Sequence, residues 1–372
     1  MTSNPPTAAA APASSGTTDG VVYDVVVIGG GQTGLALSWH LDRQGLRFLI
    51  LDAGAEVGHV WRCRWDSLRL FTPTQYDSLP GLAFPGRYDT YPDKNDVADY
   101  LRSYVDRFAL PLQLNTRVTG LTRSGDLFEV QAGDQTYRAS QVVVATGPFQ
   151  TPSVPAVAAR LDSSVAQLHS ALYRNPQSLP NGPVLVVGGG NSGLQIAEEL
   201  IADRPVDVAI GTTVRAMPQR FLGRDLFWWG TKLNVVTAPA ESRIGRRLRA
   251  GGETLVGTSP RRAARAGIRL RPRVTEVDGA TVRFADGAAA EPAAVIWATG
   301  YHSDYGWIRV EGALANGEPA HRRGVTQIPG LYFLGLPWQH SRGSALLGFV
   351  ADDAAHLADQ IARRALIPSQ GA

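Results

Sequence analysis

Cysteine is nearly absent from this sequence of 372 residues, in which Cys63 is the single example. One cysteine excludes an internal disulfide, and it excludes the paired redox cysteines through which thiol–disulfide flavoenzymes pass electrons. Lysine is almost as scarce, with only Lys94 and Lys232, so arginine carries nearly all the positive charge of a chain whose net charge is +3. A charge of this size gives no indication of nucleic-acid binding.

Long apolar runs are also missing. No run reaches the roughly 18 to 20 residues that a membrane helix needs. The first 20 residues are rich in Ala, Ser, Thr and Pro but lack the basic and apolar regions of a signal peptide. We therefore expect a disordered tail over 1–20, a cytoplasmic location and no membrane span. The length allows two domains, and no metal site is predicted.

A strand–turn–helix–strand pattern occupies residues 23–52. The apolar run 25–28 is followed by Gly29, Gly31 and Gly34 in a GxGxxG spacing, and the next apolar run ends at Asp52. The first glycine permits the turn, the second lets the backbone approach a pyrophosphate at the helix N-terminus, and the third lets helix and strand pack closely. Asp52, 18 residues after Gly34, is placed to accept from a ribose hydroxyl. Because it lies near the N-terminus, this unit is predicted to bind FAD.

The same pattern returns over residues 183–200, with Gly188, Gly190 and Gly193 in the same spacing. Its next strand, 206–210, is followed by no carboxylate but by Thr212, Thr213 and Arg215. A carboxylate at this place would accept from the 2′-hydroxyl of NAD and repel a 2′-phosphate, whereas an arginine with neighbouring hydroxyls suits the phosphate. The second unit is therefore predicted to bind NADPH.

Two strands end in the same tripeptide, Ala-Thr-Gly, at 145–147 and at 298–300. A Pro- and Ser-rich connector follows the first and suggests a crossing between domains. The predicted fold class is α/β, with two doubly wound, Rossmann-like dinucleotide-binding domains and the NADPH domain inserted into the FAD domain. The FAD domain comprises 21–150 and 300–372, and the NADPH domain comprises 151–299 with a helical insert over 216–256.

The remaining segments have weaker patterns. Residues 54–92 are rich in aromatics, Gly and Pro, and are predicted to be irregular backbone against a flavin ring. A helix capped by Asp93 is predicted over 93–108, short antiparallel strands over 112–138, and an amphipathic helix over 344–364 whose N-terminus follows Gly343 and faces the reduced flavin. Ten arginines between 243 and 273 form either a solvated helical face or a field that attracts an anionic cofactor or a membrane surface. The aromatic insert also suggests a homodimer.

Together, the two glycine turns, the two Ala-Thr-Gly elements and the strand Leu-Tyr-Phe-Leu-Gly at 331–335 resemble the class B flavin-dependent monooxygenases. These include the flavin-containing monooxygenases and their Baeyer–Villiger relatives, and the resemblance covers about 22–365. It implies FAD, NADPH, a small substrate and O2. It also implies oxygen transfer from a C4a-peroxyflavin to a nitrogen, sulfur or other heteroatom, or to a carbonyl.

Candidate site residues follow from the motifs and the resemblance. The catalytic candidates are Trp61, Arg69, Gln339 and His340. The cofactor-binding candidates are Gly29, Gly31, Thr33, Gly34, Asp52, Trp61, Arg62, Val118, Ala145, Gly147, Gly188, Gly190, Asn191, Ser192, Gly193, Thr212, Arg215, Ala298, Thr299, Gly300, Gly335 and Ser344.

Two alternatives stay open because only His169 and Tyr173 match the four positions of the family fingerprint. The first is a reductase that passes electrons from NADPH through FAD to an acceptor without oxygen insertion. The second is a nucleotide-sensing subunit associated with a transporter, which would keep both nucleotide sites without turnover.

Overall fold

The first part of the chain forms a strand–helix–strand unit with a small antiparallel extension. The computed structural model describes residues 20–212, 214–252 and 254–366, so nearly all of the predicted tail lies outside the described residues. The predicted helix after Asp93 is confirmed, and the Asp93 carboxylate caps it by accepting from the amides of Asn95 and Asp96. The helices and strands of this part are β1 (Val22–Ile28), α1 (Gln32–Arg43), β2 (Phe48–Leu51), α2 (His59–Arg62), α3 (Lys94–Phe108), β3 (Leu112–Gln113), β4 (Gly120–Ser124), β5 (Leu127–Ala132) and β6 (Gln135–Val144).

The second part repeats the strand–helix–strand unit and then leaves it for an insert. Its elements are β7 (Thr151–Pro152), β8 (Ala166–His169), β9 (Val184–Val187), α4 (Asn191–Leu200) and β10 (Val206–Ala209). The elements of the insert are β11 (Arg215–Met217), β12 (Arg220–Phe221), β13 (Arg224–Asp225), α5 (Leu226–Lys232), α6 (Arg243–Ala250) and β14 (Thr254–Val256). The prediction that this insert is mainly helical is wrong, because Pro218, Gly223 and Pro239 divide it into pieces too short for a long helix.

The last part completes both units. Its elements are α7 (Pro260–Arg265), β15 (Arg269–Arg271), β16 (Val274–Asp278), β17 (Thr281–Phe284), β18 (Ala289–Ala290), β19 (Ala294–Trp297), β20 (Tyr301–His302), β21 (Leu314–Ala315), β22 (Glu318–Pro319), β23 (His321–Arg322), β24 (Val325–Thr326), β25 (Leu331–Phe333) and α8 (Ala351–Ala365).

Two separate sheets carry the fold: the first is parallel at its centre and antiparallel at its additions, and the second is parallel throughout. Within the described residues, the first has nine strands in the order β23-β24-β25-β6-β1-β2-β3, extended by β5 and β4 on β6, and the second has five in the order β15-β10-β9-β19-β8. Strands β1, β2, β3, β6 and β25 run parallel, as do all five of the second sheet. Their central strands are apolar and buried along most of their length, as expected of parallel strands covered on both faces. The α/β fold class is confirmed.

The two sheets are joined where the chain crosses between them. Strand β7, just after the first crossing, pairs antiparallel with β20, just after the second. One hydrophobic cluster includes residues of both units, among them Val27 and Leu35 of the first and Val186 and Leu194 of the second. Apolar packing between the units therefore continues from one sheet to the other.

The C-terminal helix differs from the prediction. Residues 342–345 and 348–350 form two short 3₁₀ turns, and α8 begins only at Ala351. The chain is extended at Leu346 and passes so close to Tyr76 that a Cβ on Gly348 would overlap the Tyr76 carbonyl. The prediction that a helix starts after Gly343 is therefore wrong, whereas an orientation of this segment toward the flavin stays a prediction. The first turn of α8 instead contains Asp352 and Asp353, which complement its own dipole.

Over the described ranges, none of the helices combines the length and the apolar character needed to cross a bilayer.

Candidate functional site

The first glycine turn brings three strands together at one point. Gly29 has a φ of +113°, and a Cβ there would overlap the carbonyl of Ala145 at the end of β6. A Cβ on Gly34 would overlap the carbonyl of Gly29, so helix α1 lies directly on the turn. Gly31 faces open space, with no atom within 4 Å of a Cβ built on it, and no side chain caps α1. The free amides and the open space fit a pyrophosphate.

The second turn reproduces this geometry. Gly188 has a φ of +126° and lies against the carbonyl of Ala298, while Gly193 lies against the carbonyl of Gly188. Gly190 is the residue before α4, which no side chain caps. In both units, therefore, the carbonyl of the alanine of an Ala-Thr-Gly element lies against the first glycine of the turn. This second helix N-terminus fits another pyrophosphate.

The two units differ at the end of the second strand. Asp52 follows β2, and its carboxylate accepts from the amides of Gly30 (2.6 Å) and Gly54 (2.7 Å). Ile210 follows β10 and lies against Gly189 as Asp52 lies against Gly30. A Cβ built on Gly189 would be 2.9 Å from the Ile210 side chain. The first unit thus has a positioned carboxylate for a ribose hydroxyl, whereas an isoleucine replaces it in the second.

A basic residue that the sequence reasoning did not assign to the site lies beside Ile210. The guanidinium of Arg273 donates to the carbonyl of Gly211 at 3.4 Å, and the residue is exposed. Arg215 is also exposed, and its guanidinium reaches toward Gly251 at the end of α6. Arg273 follows β15, which pairs parallel with β10, and the ends of parallel neighbours meet at one edge. The pairing of β15 with β10 identifies Arg273 as a neighbour of this strand end. The spacing of residues along the sequence does not.

Other predicted nucleotide contacts have structural partners. Asn191 links α4 to the insert, donating to the carbonyl of Thr254 (3.4 Å) and accepting from the amide of Val256 (3.2 Å). Ser192 and Val118 are partly buried, and Thr212 is exposed. Thr213, which was predicted to supply a further hydroxyl, lies outside the described residues.

The crossing between the units is held by polar and aromatic contacts. His169 accepts from the amide of Ala171 at Nδ1 (3.1 Å) and donates from Nε2 to the carbonyl of Gly300 (3.0 Å). Burial lowers the pKa of His169, which favours this neutral tautomer. The Tyr301 ring lies edge-on to His169 at 5.0 Å, and its hydroxyl accepts from Arg64 at 2.7 Å.

The other residues of the two Ala-Thr-Gly elements sit at these crossings. The Thr299 hydroxyl donates to the carbonyl of Ser153, across the pair formed by β7 and β20. Gly147 and Gly300 have φ values of +70° and +82°, with open space where a side chain would be.

Some of the flavin contacts predicted in 54–92 already have partners within the protein. Trp61 is partly buried against the main apolar cluster. Arg62 is engaged with α3, where it donates to Asp99 and to Asn95. Arg69 is exposed and donates to the carbonyl of Tyr91 at 3.2 Å. The roles of Arg62 and Arg69 beside a flavin stay predictions.

The loop after β25 approaches the first glycine turn. A Cβ built on Gly335 would lie 2.6 Å from the Thr33 side chain, at the beginning of α1. Gln339 is buried, and within the described residues its Nε2 has no hydrogen-bond partner, although Oε1 accepts from Leu336 at 3.2 Å. A Cβ built on Gly324 would lie 2.5 Å from this Nε2, so the Gln339 amide lies against the hairpin that precedes β25. The catalytic role of Gln339 stays a prediction.

His340 and Ser344 hold that loop in place. The Ser344 hydroxyl accepts from the amides of His340 and Ser341, each at 3.0 Å. The His340 carbonyl accepts from Ala240 of the insert at 2.6 Å. These hydrogen bonds therefore position the loop.

The insert packs on the FAD side through an aromatic cluster and a carboxylate. Phe227 of α5 stacks on Phe71 with ring centres 5.9 Å apart and also contacts Phe349. The buried Asp225 accepts from Tyr91 (2.8 Å) and Gln219 (2.8 Å). One face of the insert is thus fixed over the loop 71–91.

Asp77 is a buried carboxyl that the sequence reasoning missed. Its Oδ1 accepts from the Thr72 hydroxyl at 2.6 Å, and among the described residues its Oδ2 has no partner. Burial raises the pKa of Asp77 to about 8, against the opposing hydrogen bond from Thr72. A group of this kind is neutral over most of the range in which ordinary carboxyls are charged.

Comparison with known proteins agrees with this architecture. Residues 26–220 match the family described as pyridine nucleotide-disulphide oxidoreductase. An uncharacterized CzcO-like oxidoreductase of Geobacillus kaustophilus is 43% identical over 342 residues, covering 91% of this chain and 98% of the relative. The probable indole-3-pyruvate monooxygenase YUCCA1 of Arabidopsis thaliana is 29% identical over 318 residues, covering 76% of this chain and 77% of the relative. The solved structure of a flavin-containing monooxygenase from Stenotrophomonas maltophilia is 28% identical in sequence and has a TM-score of 0.77. The match covers 92% of this chain and 99% of that structure.

The resemblance to flavin monooxygenases is confirmed by these relatives, and so is the arrangement of two dinucleotide-binding domains. The predicted oxidoreductase activity and the cofactors, FAD and NADPH, are confirmed with it. The domain boundaries and the individual site residues stay predictions. The chain belongs to the pyridine nucleotide-disulphide oxidoreductase family.

Proposed function

We propose that the protein is an NADPH-dependent monooxygenase that oxygenates a small substrate with O2. This proposal rests on one observation: the chain combines two equivalent glycine turns with a single cysteine. Electrons received from NADPH cannot leave through a cysteine pair, so another acceptor is required. Bound FAD would supply hydride acceptance and oxygen activation. The similarity to a flavin-containing monooxygenase supports O2 as that acceptor.

The protein's own residues would bind and orient the two cofactors and exclude water. The amides at the beginning of α1 would hold the FAD pyrophosphate, and Asp52 would accept from its ribose. The buried Gln339 amide would donate to an acceptor on the ligand, and the aromatic contacts of Phe71, Phe227 and Phe349 would keep water from the reacting atoms. A soft nucleophile such as an amine or thioether needs no dedicated base, whereas a ketone or keto acid is the alternative substrate class.

Product analysis with isotope-labelled dioxygen tests this function directly. Purified protein with FAD would be incubated with NADPH and separate panels of amines, thioethers and ketones. We expect one labelled oxygen atom in a substrate and one molecule of NADPH consumed per product. NADPH oxidation that yields only hydrogen peroxide, or that accelerates with a quinone, would support the reductase. No reduction of the flavin would support the nucleotide-sensing subunit.

A homodimer and a cytoplasmic location stay predictions.

We further propose that Arg215 and Arg273 recognise the 2′-phosphate of NADPH. Ile210 removes the carboxylate that would repel this phosphate, and both arginines are exposed in the segments that surround the strand end. Replacing Arg273 or Arg215 with alanine should raise the KM for NADPH by roughly 10- to 100-fold, as expected for loss of a charge-assisted hydrogen bond. The KM for NADH should change little. Steady-state kinetics with both cofactors measures this.

Arg160→Ala is the matched control, because Arg160 is an exposed arginine in the predicted NADPH domain but far along the chain from this strand end. It should leave both KM values unchanged. An equal loss with NADPH and NADH in the Arg215 and Arg273 variants would contradict 2′-phosphate recognition.

A further inference from the structure

The hairpin β12–β13 and helix α5 form an exposed projection, residues 220–233, here named the apolar projection. Phe221, Leu222 and Leu233 are 54%, 74% and 63% exposed. Leu222 lies at the hairpin tip with a φ of +49°. Large apolar side chains gathered at one exposed place indicate an interaction surface more strongly than scattered ones do.

The apolar side chains are held together rather than free. The indole of Trp229 donates to the carbonyl of Phe221 at 2.9 Å, and the two rings lie 6.4 Å apart. Trp228 lies edge-on to Trp229 at 4.7 Å. The base of the projection is fixed by Asp225, which caps α5 through the amide of Phe227 (2.6 Å). The apolar tip is therefore presented on a supported frame.

Basic side chains surround this tip. The Arg224 guanidinium lies over the Trp228 ring at 5.4 Å, and Lys232 ends α5. Across the described residues, neither of these two cations forms an ion pair. The segment 215–252 has eight basic and two acidic residues, a net charge of +6 in a chain of net charge +3. The apolar tip thus projects from a segment with a net positive charge.

We propose that the apolar projection docks on an anionic lipid surface. Exposed Leu and Phe gain by entering the acyl boundary, tryptophan favours the headgroup level, and arginine and lysine are attracted to anionic headgroups. A second copy is a poorer occupant, because a two-fold interface would place this cationic surface against itself. The inference does not depend on the proposed reaction.

Vesicle sedimentation of the FAD-loaded protein tests this docking. The probes are vesicles of phosphatidylcholine alone and vesicles in which about one third of the lipid is phosphatidylglycerol. We expect binding to the anionic vesicles only, with most of it lost at about 0.5 M salt because screening weakens the attraction to headgroups. A blue shift of tryptophan fluorescence should accompany binding.

Two variants separate the apolar and cationic contributions. Leu222→Ser should weaken vesicle binding by roughly tenfold, the effect of withdrawing one leucine from the acyl boundary. Arg224→Ala combined with Lys232→Ala should weaken it by roughly 25-fold, at about fivefold for each cation. Leu366→Ser and Arg160→Ala are the controls, since both replace exposed residues outside the projection. FAD content and NADPH oxidation should be unchanged in all of these variants.

Several results would overturn the proposal. The first is wild-type protein that binds neither kind of vesicle. The second is vesicle binding that the projection variants reduce no more than the controls do. The third is light scattering that shows a dimer which Leu222→Ser converts to a monomer, because a second copy would then occupy this surface.

Discussion

Gly193→Ala is expected to give a protein that still binds FAD but is no longer reduced efficiently by NADPH. The new methyl group would overlap the carbonyl of Gly188 and lie 3.2 Å from the Cβ of Ala298. Helix α4 must then move away from the turn, which displaces the amides proposed to hold the NADPH pyrophosphate. A displacement of about 1 Å in a reacting cofactor can cost roughly 100-fold in rate. Anaerobic stopped-flow reduction of the bound flavin measures the loss.

Gly34→Ala is the matched change in the other unit, where the methyl group would overlap the carbonyl of Gly29. It should instead yield protein without FAD, which the absorbance spectrum of the purified protein reports. Gly306→Ala is the control, because the nearest atom to its new methyl group is a carboxylate oxygen of Asp304, 3.3 Å away. If Gly193→Ala lost FAD, or if Gly34→Ala kept it, the assignment of one cofactor to each turn would be wrong.

Asp77→Asn is expected to remove a strong dependence of stability on pH. The pKa of Asp77 is about 8 in the folded protein because burial penalises its charge, whereas an unfolded aspartate has a pKa of about 3.9. Between these values the unfolded chain releases a proton that the folded chain retains. The Asp77 carboxyl therefore lowers the stability progressively as the pH rises from about 4 to about 8, and contributes no change below that window.

The expected size is on the order of 3 kcal/mol between pH 5 and pH 8, from about 1.4 kcal/mol per pH unit. Denaturant unfolding of the FAD-loaded protein at both pH values measures it. Wild type should lose this amount relative to Asp77→Asn as the pH rises. Asp134→Asn, at an exposed carboxyl, is the control and should follow wild type. Parallel pH curves for wild type and Asp77→Asn would contradict a neutral, buried Asp77.

Much of the fold could be predicted because its signals are local. The glycine spacing predicts the two turns, since Gly34 and Gly193 each lie against the first glycine of their own turn, five residues earlier. Asp93 predicts the beginning of α3 for the same reason, because its carboxylate binds amides two and three residues later. Buried apolar runs predict the parallel strands.

The errors occur where distant segments meet. The helix predicted from residue 344 begins at Ala351, because the intervening chain packs against Tyr76, more than 250 residues earlier in the sequence. The insert over 216–256 was predicted to be helical, but it contains a hairpin, and its contacts with the loop 71–91 join segments more than 120 residues apart in the sequence. Arg62 contacts α3, which its position beside Trp61 does not reveal, and its role beside a flavin stays a prediction.

By itself, the sequence determined the two nucleotide-binding units, the absence of a cysteine pair and the missing carboxylate after β10. These depend on residue identity and short-range geometry. Only the tertiary structure decided that Ile210 takes the place of Asp52, that Arg273 lies beside it, that Asp77 is buried and that an apolar tip projects from a cationic surface. Burial and contact between distant segments depend on how the whole chain packs, and no local pattern specifies them.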